Sequence, residues 1–457
     1  MSSWPARETS SAAAAKIGDV AAYWCEQAWL PAGIAEQVRV STDDSGVVTA
    51  VDAGVAPSPG DTRMSGVVLP GFANAHSHAF HRALRGRTHG AGGTFWTWRD
   101  HMYEIAATLD PDSYRALATA AYAEMALAGV ACVGEFHYVH HRPDGKPYDD
   151  PNEMSHVLRE AARAAGIRLT LLDTCYLAGG IGEPLASTQR RFGDGDANRW
   201  AERIGSLTPD PSTRIGGAIH SVRAVPADQI ATVVEATRGR PLHVHLSEQP
   251  DENEQCLSAY GVTPTRLLHE HGALGVDTTA VHATHLVRDD VLLLGASQTT
   301  ACICPTTERD LADGIGPARA LGDAGSPLAL GSDQHAVVDL LEEARALEMH
   351  ERLASLRRGR FTPAELVMAL TAAGHSALGW PEAGRIAVGS PCDLVAIRLD
   401  TPRTAGADPA QVVMAATAAD VGTVVVGGRA VVQAGRHLLG DVGRLLSEAV
   451  EAIWSGR

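Results

Sequence analysis

The sequence predicts an α/β protein: a (β/α)8 TIM-like barrel carrying a small β-sandwich domain formed by the N- and C-terminal segments. Three observations carry this. Between residues 67 and 355, eight short apolar runs alternate with helix-like segments. Outside that stretch the runs are β-branched and punctuated by Gly and Pro, the signature of sheet without intervening helices. The chain, at 457 residues, is about three times the length of an ordinary domain, which leaves room for a barrel and an appendage.

The elements follow in order. Residues 1–20 read as a loose extension with an Ala run but no apolar core of signal-peptide length. Short strands are expected at residues 37–40, 46–51 and 66–69. The first barrel strand is the run before His76. In residues 113–128, Tyr114, Leu117, Ala118, Ala121, Met125 and Ala128 share one helical face. The remaining barrel strands are expected near 130–136, 167–173, 215–219, 242–248, 278–284, 300–304 and 327–332. Terminal strands return at 392–397, 423–426 and 430–432. The expected limits are therefore an extension over 1–20, a small β domain from 21–69 plus 376–457, and a barrel over 70–375.

Composition narrows the function. Apolar residues make up 45% and charged residues 20%, which excludes disordered and fibrous classes. The 38 Lys and Arg against 54 Asp and Glu leave a net charge of −16, with no basic segment to offset it. Nucleic acid and anionic membrane are therefore excluded as expected partners, and a small-molecule substrate remains. No run reaches the ~18 apolar residues of a spanning helix. The seven cysteines are scattered without a C-x-x-C, so free thiols in a reducing cytoplasm are expected. Histidine is the unusual count, at 20.

Many of those histidines fall in tight pairs. His76-Ser77-His78 follows the first predicted strand, and residues two apart on a strand share a face. His243 and His245 repeat the spacing in an apolar strand, with Glu248 just beyond it. His282 and His285 end the next strand, and the apolar run 328–330 leads to Asp333. Each motif alone could be structural: a buried His satisfied by backbone, or an Asp capping a helix. In a barrel, however, reactive groups stand at the C-terminal ends of different strands. His76, His78, His245, His282 and Asp333 end strands one, five, six and eight. Imidazole and carboxylate donors gathered there suit Zn2+ or a similar divalent ion.

This order of His-x-His, His, His and Asp on eight βα units resembles the amidohydrolase superfamily, as does residues 384–389 followed by Asp393-Leu394-Val395. The resemblance implies that His76, His78, His245 and Asp333 bind the metal. No Lys ends strand four, which implies a single ion, most simply Zn2+. Residues 75–82, 95–99, 135–141, 220–224 and 281–285 look like the formimidoylglutamate deiminase family within it. That family converts N-formimino-L-glutamate to N-formyl-L-glutamate and ammonia in histidine degradation, and suggests a cytoplasmic homodimer. It implies Glu248, His282 and Asp333 as the catalytic groups.

The substrate implied carries two carboxylates, and Arg offers each a bidentate fork. Arg99 and Arg223 are the candidates, with Tyr138, His220 and His81 as further substrate contacts. Position 81 departs from the family, where some members carry Gln, and residues 307–314 depart near strand seven. Trp96 and Trp98 read as packing or pocket wall, and His137, His140 and His141 as structural or supporting residues. Two alternatives stand beside this reading. One is a deaminase of another amidine or of a heterocycle such as guanine. The other is a silent barrel scaffold, which would be expected to lose metal ligands that this chain keeps. Residue spacing does not choose between loss of ammonia and loss of the amino-acid nitrogen as formamide.

Overall fold

The computed structural model describes residues 22–90 and 93–455. The expected extension over 1–20 lies outside the described residues. Sixteen strands among the described residues form two sheets of eight. The first takes strands from both chain ends: β1 (Ala22–Leu30), β2 (Gly33–Thr42), β3 (Val48–Asp52) and β4 (Thr62–Pro70) from the start. The second consists of β5 (Phe72–Ser77), β6 (Val130–His137), β7 (Arg168–Cys175), β8 (Thr213–Ile219), β9 (Leu242–Leu246), β10 (Thr278–His282), β11 (Thr300–Ile303) and β12 (Leu328–Leu330). The chain then returns to the first sheet with β13 (Leu394–Ile397), β14 (Val421–Val426), β15 (Arg429–Gln433) and β16 (Arg436–His437).

The second sheet is parallel throughout and runs in chain order from β5 to β12. A parallel bridge between Ser77 and Asp333 closes it into a barrel. Asp333 N donates to His76 O at 3.0 Å, and His78 N donates to Asp333 O at 3.1 Å. Every residue of β6 and β7 is buried, as expected of strands covered on both faces. The eight strands read from the sequence are these eight. The strand β1 was not among those expected: its two Trp and mixed polarity obscure the alternation that marks a half-buried strand.

Helices separate the barrel strands. α1 (Phe95–Thr108) and α2 (Pro111–Leu127) both lie between β5 and β6. Asp110 caps α2 by accepting from Ser113 N at 2.8 Å, and Pro111 takes the first turn, where no N–H is needed. The expected face of Tyr114, Leu117, Ala118, Ala121 and Met125 is buried. Gly129 then turns the chain into β6 at φ 94°, where a Cβ would lie 2.6 Å from the Phe72 ring.

The two sheets are stitched together. Asp393, from the return motif, accepts from Arg168 Nη1 at 3.0 Å and from Gly427 N at 2.8 Å. The last helix, Val442–Ser455, comes back to the barrel, where Trp454 Nε1 donates to Ala83 O at 2.9 Å. All seven cysteines fall within the described residues and are buried and free. No described helix is long and apolar enough to cross a membrane.

Candidate active site

The barrel's C-terminal ends bring together side chains from four strands, β5, β9, β10 and β12. His76 Nε2 lies 3.1 Å from Asp333 Oδ1 and 3.1 Å from His245 Nε2. His78 Nε2 lies 3.3 Å from the same Asp333 oxygen. Donors held ~2.0–2.1 Å from one tetrahedral ion stand about 3.3 Å apart, and these three separations match that spacing. The donor atoms of His76, His245 and Asp333 gather with that of His282, while that of His78 gathers with those of His81 and Asp333. Their protonation fits as well. Burial pushes His76 down to about 3 and His245 well below its ordinary value, so both are neutral. Burial alone would raise Asp333, but hydrogen bonding to His76 and His78 overrides it and keeps the carboxylate ionised. His78 Nδ1 lies 2.9 Å from Phe136 O, which can only accept. The ring proton therefore sits on Nδ1 and the Nε2 lone pair faces the cluster.

His282 and Glu248 border this donor set. His282 Nε2 is 3.6 Å from Glu248 Oε1 and 3.9 Å from Asp333 Oδ2. Its Nδ1 is 3.5 Å from Glu308 Oε1. Burial would lower His282, but the carboxylates of Glu248, Glu308 and Asp333 raise it well above its ordinary value. Burial raises Glu248 in spite of His282 and Arg223. Several of these positions adopt left-handed backbone: Ser247 (φ 50°), His282 (φ 67°), Ala283 (φ 50°), Asp333 (φ 41°) and His335 (φ 60°). Such conformations cost of order 1–3 kcal/mol each in non-glycine residues and concentrate at functional sites.

Beside the donor set lies a pocket. All five expected substrate contacts, Arg99, Tyr138, His220, Arg223 and His81, line it together with Glu248, His282 and Asp333. Helix α1 supplies one wall by simple periodicity. Phe95, Trp98, Arg99, Met102 and Tyr103 are spaced three or four apart, fall on one face and reach the pocket. Trp96 points elsewhere on the helix and carries the Arg99 guanidinium, 4.4 Å from its ring centroid.

The two arginines differ. Arg223 Nε donates to Glu252 Oε2 at 2.8 Å, and its Nη2 lies 3.6 Å from Glu248. Arg99 has no carboxylate partner among the described residues, and its buried Nε has no hydrogen-bond partner. His81 Nε2 lies 3.0 Å from Tyr138 Oη, so the two form one unit of the wall. His220 packs on Tyr176 and His245, with ring centroids 4.3 and 5.0 Å away.

Several histidines that the motifs placed near the site stand outside it. His243 Nε2 lies 3.2 Å from Ala377 O, and His285 Nε2 lies 2.7 Å from Asp313 O. His137, His140 and Asp173 form a second buried cluster. There Arg203 occupies both Asp173 oxygens, at 2.8 and 2.9 Å, so that carboxylate is already matched by a cation. Sequence reasoning did not reach Glu252, Glu308 or Phe136 as site neighbours. Phe136 stacks on His245 with centroids 4.3 Å apart. Only the position of Glu252 four residues beyond Glu248 could have hinted at a shared helix entry.

Comparison with known proteins agrees with this geometry. A model of the amidohydrolase family matches residues 67–431. The chain is similar to a formimidoylglutamate deiminase from Pseudomonas aeruginosa, 38% identical over 436 residues, covering 92% of this chain and 96% of that protein. It is also similar to an 8-oxoguanine deaminase from the same species, 28% identical, covering 79% of this chain and 81% of the relative. Among solved structures, an amidohydrolase from Brucella melitensis matches with a TM-score of 0.88 and 33% identity, over 95% of this chain and 100% of that one. An adenosine deaminase from Xanthomonas campestris, solved with bound zinc, shares the fold with a TM-score of 0.83 at 23% identity, over 95% and 99% of the two chains.

Proposed function

The chain belongs to the amidohydrolase family, and from that premise we propose that it hydrolyses N-formimino-L-glutamate to N-formyl-L-glutamate and ammonia, a step of histidine degradation. One observation carries the substrate: the pocket beside a metal-type donor set holds two arginines, and one of them, Arg99, has no carboxylate partner among the described residues. A dicarboxylate supplies what is missing. The similarity to the Pseudomonas aeruginosa deiminase supports the same reading.

His76, His78, His245 and Asp333 are the residues that would hold one divalent ion, Zn2+ on this reading. When bound, such an ion supplies Lewis acidity and brings the pKa of a coordinated water to ~7. The chain's own groups do the rest. Asp333 Oδ2, the oxygen nearer His282, accepts a proton from the attacking water. His282, held positive by its carboxylate neighbours, donates a hydrogen bond to the developing tetrahedral centre. Glu248, raised by burial, carries a proton to the departing nitrogen. General acid–base help of this kind typically contributes ~10²–10⁴ in rate. Arg223, beside Glu248, binds the carboxylate next to the reacting group, and Arg99 the remoter one. Tyr138, His220 and His81 complete the wall that orients the amidine and excludes water.

The same reading keeps the enzyme in the cytoplasm, consistent with seven free thiols, and as a homodimer. The proposed division is a small β domain from 21–69 plus 376–457 and a barrel over 70–375. A second substrate class, heterocycles such as guanine, draws support from the aromatic wall of Phe95, Trp98, Tyr103 and Tyr176. The deciding experiment incubates the enzyme with N-formimino-L-glutamate or guanine, with and without a chelator, and reads ammonia and the carbon product together. Chelator-sensitive ammonia with N-formylglutamate is expected. Glutamate with formamide would reject the assigned leaving group, and turnover of guanine alone would reject the substrate.

A further inference from the structure

Tyr103, on α1, and Tyr176, just after β7, both line the pocket, and each is buried. Their hydroxyl oxygens are 3.2 Å apart. Gln189 Nε2 donates to the first at 2.9 Å and to the second at 3.0 Å. The amide cannot be turned round, because its Oε1 accepts from Ala186 N at 2.8 Å. The proton count then follows. Both amide hydrogens are used, one on each phenolic oxygen. Between the two tyrosines only one O–H can donate to the other. The remaining O–H has no acceptor among the described residues. Burial raises the Tyr176 phenol well above its ordinary value.

An unpaired donor in a buried wall calls for an acceptor from a ligand. Its surroundings state the sign of that ligand. The Arg99 guanidinium carbon lies 5.6 Å from the Tyr103 ring centroid, and Arg99 is the arginine without a carboxylate partner. Arg223 is instead drawn towards Glu248 and the reacting centre. In an N-formimino amino acid the α-carboxylate is the one nearer the reacting carbon, which leaves the side-chain carboxylate for Arg99.

We propose that the Tyr103–Tyr176 pair, oriented by Gln189, donates the hydrogen bond that joins Arg99 in holding the substrate's side-chain carboxylate, and so selects the dicarboxylate over its amide. This rests on the functional reading above and deepens it. Tyr103 and Tyr176 are substrate contacts, and Gln189 is a positioning residue that fixes which hydroxyl proton is left over.

The test compares N-formimino-L-glutamate with N-formimino-L-glutamine in steady-state kinetics. The wild type prefers the dicarboxylate. Removing either hydroxyl alone, by Tyr103→Phe or Tyr176→Phe, leaves the other with a free proton, so the preference changes little. The double variant is expected to lose about 10-fold of that preference, chiefly through KM for the glutamate, the scale of one charge-assisted hydrogen bond. Gln189→Met, which removes both amide donors, is expected to lower the preference severalfold, and it carries the test if the double variant does not fold. A merely structural role would weaken both substrates alike. Wild-type turnover with an unchanged preference in folded double and Gln189→Met variants overturns this inference alone. Turnover of neither substrate by the wild type overturns the functional reading and this inference with it.

Discussion

Glu252 fastens Arg223 to the backbone of the loop after β9: one carboxylate oxygen accepts from Arg223 Nε at 2.8 Å and the other from Ser247 N at 2.9 Å. Both side chains are buried. The guanidinium is thus held by one edge, and its Nη2 is directed towards Glu248. A charged fork placed this way is ready for a carboxylate before substrate arrives, which spares the cost of ordering it on binding.

Arg223→Ala is therefore expected to lose about 10- to 150-fold in kcat/KM on N-formimino-L-glutamate, the range for one or two charge-assisted hydrogen bonds of ~1.5–3 kcal/mol. Metal content measured by elemental analysis should not change. Full activity in the variant would remove Arg223 from substrate binding.

His245→Ala should lose bound metal. His245 Nε2 stands 3.1 Å from His76 Nε2, and the two rings share one focal point with Asp333. Elemental analysis of protein purified under identical conditions is the check, and a normally loaded variant would reject His245 as a ligand. Second, chelation of the wild type should abolish turnover and re-addition of Zn2+ restore it.

Gly331→Ala tests the barrel seam. A Cβ at Gly331 would lie 2.8 Å from His76 Cβ and 2.9 Å from Cys304 Sγ. The strands bearing His76 and Asp333 would have to part. Overpacking of this kind costs about 1–3 kcal/mol. Thermal melting should fall, and metal occupancy with it. A melting temperature and metal content equal to wild type would show that the seam yields freely.

Acid should destabilise the protein through the buried pair around Arg203. Arg203 donates to Asp173 and Asp194 at 2.8–2.9 Å. Burial would raise both acids, but Arg203 on Asp173, and His141 with Arg203 on Asp194, hold them below the ordinary value. A depressed folded pKa stabilises above the unfolded value of ~3.9, and that stability is lost as pH falls below it towards the folded value. The urea midpoint should therefore drop steeply below about pH 4. Asp194→Asn should be less stable at neutral pH and show a shallower acid limb; an acid limb as steep as wild type would reject this pair as its source.

The sequence by itself determined the eight barrel strands, because each is a short apolar run ending in a polar group, and that contrast is local. It also determined residues that could share a face: His76 with His78 follows from the two-residue period of a strand, and Tyr114, Leu117, Ala118, Ala121 and Met125 from the 3.6-residue period of a helix. Tertiary structure decided how closely the histidines approach one another. His245 and His243 look alike in sequence and share one face of β9, yet only His245, nearer the strand's C-terminal end, meets His76, while His243 lies against Ala377 O. It alone decided that Glu252 rather than solvent faces Arg223, that Arg99 stays without a carboxylate, and that Gln189 reaches across to Tyr103 and Tyr176. These contacts, with that of His245 and His76, join residues up to 169 positions apart. They are fixed by barrel closure and loop packing, and no local period in the chain encodes which distant side chain fills a given place.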